Sequence, residues 1–199
     1  MKLYMSATSP YARLAAAVII EKGLQDRVQR IMVDPWASGP EILAANPISR
    51  IPTLITDKGV ALTESLLIAD YLDRAFPQPP LLPAHSLETT LRKAGLAQGV
   101  IDSAIYIVST RRFGLGPDVA DPLHTRRLES IRRALPVLAR ELGAAKPQVD
   151  LGDLAVAVAL GYLSFRFPEI DWRGEHRTLA HWYERVAARP ALAQTQPPT

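Results

Sequence analysis

Over the first 76 residues, short apolar runs with strand character alternate with stretches whose apolar positions recur at helical spacing. "KLYM" at 2–5 reads as a strand. The turn "SATSP" follows, and then a helix over 10–22 that stops at Gly23, a residue suited to the left-handed conformation of a helix end. "VQRIMV" at 28–33 alternates Val28, Arg30 and Met32, which predicts a second strand, parallel to the first across the helix. After the loop "DPWASGP", a short helix is expected over 41–45, then the proline-dense turn "NPISRIP". "TLIT" and "VALT" flank Asp57-Lys58-Gly59 and predict a hairpin. A helix over 64–76 places Leu67, Ile68, Tyr71, Leu72 and Ala75 on one face. The expected order is β-α-β-α-β-β-α.

The pattern then breaks. "PQPPLLPAHS" at 77–86 holds four prolines, a density that excludes a regular element and marks a linker. Beyond it only helical spacing remains, predicting helices over 87–112, 122–142, 152–166 and 178–188. In "DLGD", Asp150 is the expected N-cap of the third of these, with Asp153 in its first turn near the exposed N–H groups. Residues 1–76 therefore read as an α/β domain, 77–86 as the linker and 87–199 as an all-α domain.

Composition narrows the function classes. With 199 residues, 48% hydrophobic and 22% charged, the chain has the make-up of a soluble globular protein with room for a real core. Its most apolar stretch, "LAVAVALGYLSF" at 154–165, is shorter than the roughly 20 residues of a membrane crossing, so a buried helix is expected. No targeting segment is visible in "MKLYMSATSP", and the expected location is the cytoplasm, with no membrane partner. The absence of cysteine excludes disulfides, thiolate metal sites and a protein thiol nucleophile. His85, His124, His176 and His181 form no metal-ligand spacing, so no metal is expected. The net charge of +3 includes the pairs Arg111–Arg112, Arg126–Arg127 and Arg132–Arg133. Glu129 and Glu141 break up this charge and no aromatic residues interleave to stack bases, so a solvated helix face is expected rather than a nucleic-acid surface.

Three features of the α/β domain could carry chemistry, and each also has a structural explanation. In "TSPY", Ser9 and Pro10 suit the N-cap and first position of a helix, where N–H groups and the dipole would also stabilise an anion such as a thiolate. In "RIPTLI", Pro52 suits a strand start; if the Ile51–Pro52 bond is cis, the backbone groups of Ile51 turn outward to pair with a peptide-like ligand. In "TES", Glu64 and Ser65 suit a helix start. They would equally hold an α-amino-acid group, Ser65 taking the carboxylate and Glu64 the ammonium.

Taken in order, "TSPYAR" at 8–13, "NPISRIPTL" at 46–54, "LTESLLIADYLD" at 62–73, the cap at Asp150 to Asp153 and "RPALAQT" at 189–195 resemble the cytosolic glutathione S-transferases over the whole chain. The serine motif is similar to that of bacterial members with a tau-like start. This resemblance implies a thioredoxin-like first domain, a helical second domain, glutathione as co-substrate and a homodimer. It implies that Ser9 donates a hydrogen bond to the glutathione sulfur, with Thr8 the competing hydroxyl and Tyr11 a more distant one. Ile51 before Pro52 would pair with the cysteinyl backbone, Glu64 and Ser65 would hold the γ-glutamyl end, and Arg50 would lie near the glycyl carboxylate. The loop "PWASGPE" lacks the basic residue that the family usually has there.

With no cysteine in the chain, the reactive sulfur must come from glutathione. A free thiol has pKa about 8.5, and lowering it by about one to two units populates the thiolate at neutral pH. The resemblance further implies an electrophile pocket with Tyr11 and, on the first helix of the helical domain, Ile105, Tyr106 and Ser109. On that helix Gln98, Asp102, Ile105 and Ser109 share a face. Asp102 is the candidate to reach the ammonium of glutathione in the partner subunit, whereas Arg13 is expected to tie the first helix structurally. The expected function is conjugation of glutathione to a small hydrophobic electrophile, in detoxification. A noncatalytic binding or regulatory protein of the same fold is the alternative, against which the joint presence of Ser9, Glu64 and Ser65 argues.

Overall fold

Residues 1–114, 122–142 and 148–198 are described by the computed structural model of this chain. They divide into two units, Met1–Ser86 with Ala188–Thr199, and Leu87–Ala187. The first unit runs β1 (Lys2–Met5), α1 (Pro10–Glu21), β2 (Gln29–Met32), α2 (Pro40–Ala45), β3 (Thr53–Ile55), β4 (Ala61–Thr63) and α3 (Ser65–Ala75), in the expected order. The sheet order is β2-β1-β3-β4; β1 and β2 are parallel, and the other two pairs are antiparallel.

Local chemistry accounts for the boundaries. Pro10 opens α1 behind the N-cap Ser9, and Gly23 after its end has φ +66°. Ala15, Ala16 and Ala17, three successive residues that point to different sides of α1, are all fully buried. The hairpin closes with the Thr56 N–H donating to the Val60 carbonyl at 2.9 Å, and Gly59 takes φ +77°. Tyr4 on β1 is buried and hydrogen-bonded to Glu41 of α2; burial first, and then the carboxylate, push its pKa above the ordinary phenol value.

Three expectations change here. On α3 the buried stripe is Ser65, Ile68, Ala69 and Leu72, while Leu67 is 65% exposed and Ala75 is also exposed. The small side chains of Ser65 and Ala69, which carry little hydrophobic signal, belong to this buried stripe of α3, a helix that packs against α1. Within the linker, Ala84–Ser86 forms a 3-10 turn, Leu81 is buried, and the segment is tied down by hydrogen bonds. Lys22, its ammonium buried, donates to Asp73 at 2.7 Å and to the Pro79 carbonyl at 2.6 Å, while Asp73 accepts the N–H groups of Leu81 and Leu82. Prolines lack a donor, but their carbonyls still anchor a chain. Finally, residues 188–199, expected in the helical domain, belong with the first unit. There α9 (Pro190–Ala193) packs on α1; Arg189 forks onto Glu21 at 2.8 and 2.9 Å, and buried Arg13 donates to the Leu192 carbonyl at 3.2 Å.

The second unit holds α4 (Leu87–Arg112), α5 (Pro122–Glu141), α6 (Leu151–Arg166), the unexpected short α7 (Trp172–Glu175), and α8 (Arg177–Ala187). Helix α6 is buried all round from Leu151 to Leu163. Its N-terminus carries the expected cap in reciprocal form: Asp150 accepts from the Asp153 N–H at 2.9 Å and Asp153 accepts from the Asp150 N–H at 3.2 Å. Lys93 of α4 inserts its ammonium between the two carboxylates. Gly152 is required there, because a Cβ would stand 2.6 Å from the Thr90 carbonyl oxygen and 2.7 Å from Lys93 Cβ.

Candidate functional site

The register of the sheet decides where the sequence motifs fall. Tyr4 on β1 pairs with Thr53 on β3, and Thr53 pairs with Thr63 on β4, so these three residues form one row across the sheet. Strand β1 leaves this row toward Ser9, β3 enters it from Ile51-Pro52, and β4 leaves it toward Glu64-Ser65. Because β3 runs opposite to its two neighbours, all three motifs lie at the same end of the sheet. This end also carries the N-termini of two helices, α1 and α3, each of which presents the positive end of a dipole.

Ser9 is half-buried, and its Oγ accepts the Ala12 N–H at 3.2 Å. A hydroxyl that accepts still has its own hydrogen to donate, so capping and ligand contact are compatible. Thr8 lies in the preceding turn and is exposed, and Tyr11 in the first turn of α1 is half-buried. The Ile51–Pro52 bond is cis. Among the described residues, no hydrogen-bond partner within the chain is found for the Ile51 backbone N–H or carbonyl. Arg50 beside it is exposed.

At the head of α3, Ser65 is buried and stands at the first helical position. Glu64, exposed before it, has φ +65° and makes no side-chain capping bond. A positive φ on a non-glycine residue stores about 1–3 kcal/mol and persists only where its surroundings impose it. The arrangement can thus hold an extended peptide by its backbone at Ile51, with anionic groups at two helix N-termini and a cation at Glu64.

The sequence reading missed the support beneath Ile51. Asn46, 1% exposed, reaches the Arg50 carbonyl and the Thr53 hydroxyl, and Ser49 Oγ, itself taking a bond from Ser38, donates to the Pro35 carbonyl. An Asn-Pro pair at a turn was its only sequence signal. In the second unit, on α4, Gln98 donates to Asp102 at 3.0 Å, and Ile105, Tyr106 and Ser109 are half-buried, with Arg127 over the Tyr106 ring at 5.6 Å.

Residues 3–80 match the N-terminal domain of glutathione S-transferases, and residues 121–185 match their C-terminal domain. The uncharacterised GST-like protein YibF of Escherichia coli (strain K12) is 32% identical over 203 residues, covering 100% of this chain and 99% of that protein. A glutathione S-transferase of Methylobacterium radiotolerans, crystallised with glutathione sulfonate, has TM-score 0.88 at 32% identity and covers 100% of this chain and 95% of its own. A glutathione transferase family member of Pseudomonas fluorescens Pf-5 with bound glutathione has TM-score 0.88 at 32% identity, with 100% and 99% covered. The chain belongs to the glutathione S-transferase family, with the small mixed sheet and the helical unit of that fold.

Proposed function

We propose that the protein is a serine-type glutathione S-transferase, which holds glutathione as a thiolate and conjugates it to a small hydrophobic electrophile. The observation that carries this reading is the gathering of Ser9, Ile51 and Glu64-Ser65 at one end of the sheet. Glutathione offers a matching set of groups: a thiol for the Ser9 hydroxyl, a cysteinyl backbone for Ile51, and a γ-glutamyl carboxylate and ammonium for Ser65 and Glu64. Exposed Arg50 suits the glycyl carboxylate. Rate acceleration comes from holding the sulfur as an anion in position, with no metal. Ile105, Tyr106 and Ser109 on α4 are assigned to the electrophile. A homodimer and a cytoplasmic role in detoxification complete this reading.

Calorimetry with glutathione, followed by turnover on a panel of aromatic and alkenyl electrophiles, tests the reading. Binding with turnover is expected. No binding overturns the proposal, and binding with no turnover on any electrophile replaces it with a noncatalytic glutathione-binding protein.

Glu64 supplies a second test. Since its backbone strain is relieved by removing Cβ, Glu64→Gly is expected to gain about 1 kcal/mol of stability while glutathione affinity falls at least about tenfold. A thermal melt and a calorimetric titration read the two effects. Unchanged affinity would remove Glu64 from the site.

A further inference from the structure

We infer that Asn46 and Thr53 are positioning residues that aim the backbone N–H of Ile51 at the peptide backbone of glutathione, an assignment that rests on the function proposed above. Among the described residues, only Ile51–Pro52 and Gln78–Pro79 are cis, so the Arg50–Ile51 peptide is trans and planar. In such a unit the carbonyl of Arg50 and the N–H of Ile51 point to opposite sides of the chain. Whatever fixes the first therefore aims the second.

The Arg50 carbonyl is held twice. Asn46 Nδ2 donates to it at 3.0 Å and Thr53 Oγ1 at 2.9 Å, which uses both of its lone pairs. The two clamping groups also hold each other, since Asn46 Nδ2 donates to Thr53 Oγ1 at 3.2 Å. Asn46 Oδ1 accepts the Ile48 N–H at 3.1 Å, so every polar atom of its side chain is committed. Thr53, fully buried, is fixed in the sheet between Tyr4 and Thr63. With the carbonyl clamped toward this buried pair, the Ile51 N–H faces away from it, as a strand-like ligand requires. Asn46 and Thr53 thus act on the ligand only through the peptide plane and do not touch it.

The test uses the full chain, with the Ile51 amide resonance of the free protein read by NMR and glutathione affinity read by calorimetry. Thr53→Val keeps the shape and removes the hydroxyl, whereas Thr53→Ser keeps the hydroxyl and removes the methyl. Thr53→Val is expected to shift the Ile51 resonance and to weaken glutathione by about fivefold to tenfold, the effect of one hydrogen bond. Thr53→Ser is expected to keep both at wild-type values. Asn46→Asp, which cannot donate to Arg50, should behave as Thr53→Val, and should the Val variant fold poorly it carries the test. In all three the pKa of the bound thiol should stay at the wild-type value, because the sulfur is held by Ser9. An unmoved Ile51 resonance, unchanged affinity in both Thr53→Val and Asn46→Asp, or a Ser variant as weak as Val overturns the inference, the last by showing a packing role. A wild-type chain that does not bind glutathione overturns the proposed function and this inference together, whereas wild-type binding with unaffected variants overturns this inference alone.

Discussion

Removing one oxygen atom at the head of α1, in Ser9→Ala, is expected to raise the thiol pKa of bound glutathione by about one to two units. The magnitude follows from a hydrogen bond to a charged acceptor, about 1.5–3 kcal/mol, at 1.36 kcal/mol per unit. At pH near 6.5, where on the proposed mechanism the wild-type thiol is partly ionised and the variant's is not, the variant should lose about tenfold to a hundredfold in kcat/KM. The sign fixes the pH dependence: a raised thiol pKa depletes thiolate below it, so the deficit should shrink as pH rises past both values. Because Ser9 also caps α1, Ser9→Ala should cost about 1 kcal/mol of stability as well. Ser9→Gly separates the two roles, since glycine is a tolerable cap without a hydroxyl. It should lose the thiolate effect in full at a smaller stability cost. An unchanged pH–rate profile in both variants, with Thr8→Ala inactive, would move the activating hydroxyl to Thr8.

The largest stability loss is expected for Lys93→Met. Its ammonium is the shared counter-charge of Asp150 and Asp153, whose side chains, like its own, are 9% exposed. Without it, two neighbouring carboxylates stay buried with only their capping N–H groups to solvate them. Breaking a buried pair by removing one partner costs about 3–5 kcal/mol, a large share of the roughly 5–15 kcal/mol that holds a typical protein folded. Urea denaturation should show a lower midpoint at an unchanged slope. Asp153→Asn should be milder, because Lys93 and Asp150 remain a one-to-one pair. A Lys93→Met midpoint equal to wild type would show that water already screens the cluster.

How far the sequence reached depends on the distance over which each feature is decided. Ser9-Pro10 before an Ala-rich run, Gly23 behind it, Asp57-Lys58-Gly59 in the hairpin and Asp150 with Asp153 at α6 were all legible, because a cap or turn is settled within about four residues by φ preference and one local hydrogen bond. The period of apolar positions located the long helices to within one or two residues for the same reason.

Other features needed partners far along the chain. Hydrophobic spacing says that α3 has an apolar side but not where α1 will meet it, and so Leu67 was placed inward although it faces out. Nothing local to residues 188–199 tells that Arg189 will find Glu21, and no spacing rule links Lys93 to Asp150 and Asp153. The sequence by itself determined the longer elements, their ends to within a residue or two, and the residue types at the candidate site. Only the tertiary structure decided that β3 lies antiparallel beside β1, and this pairing brings Ile51 and Ser65 to the end of the sheet where Ser9 caps its helix. The physical reason is that strand pairing is a contact between distant residues, whose free energy no single stretch of the chain contains.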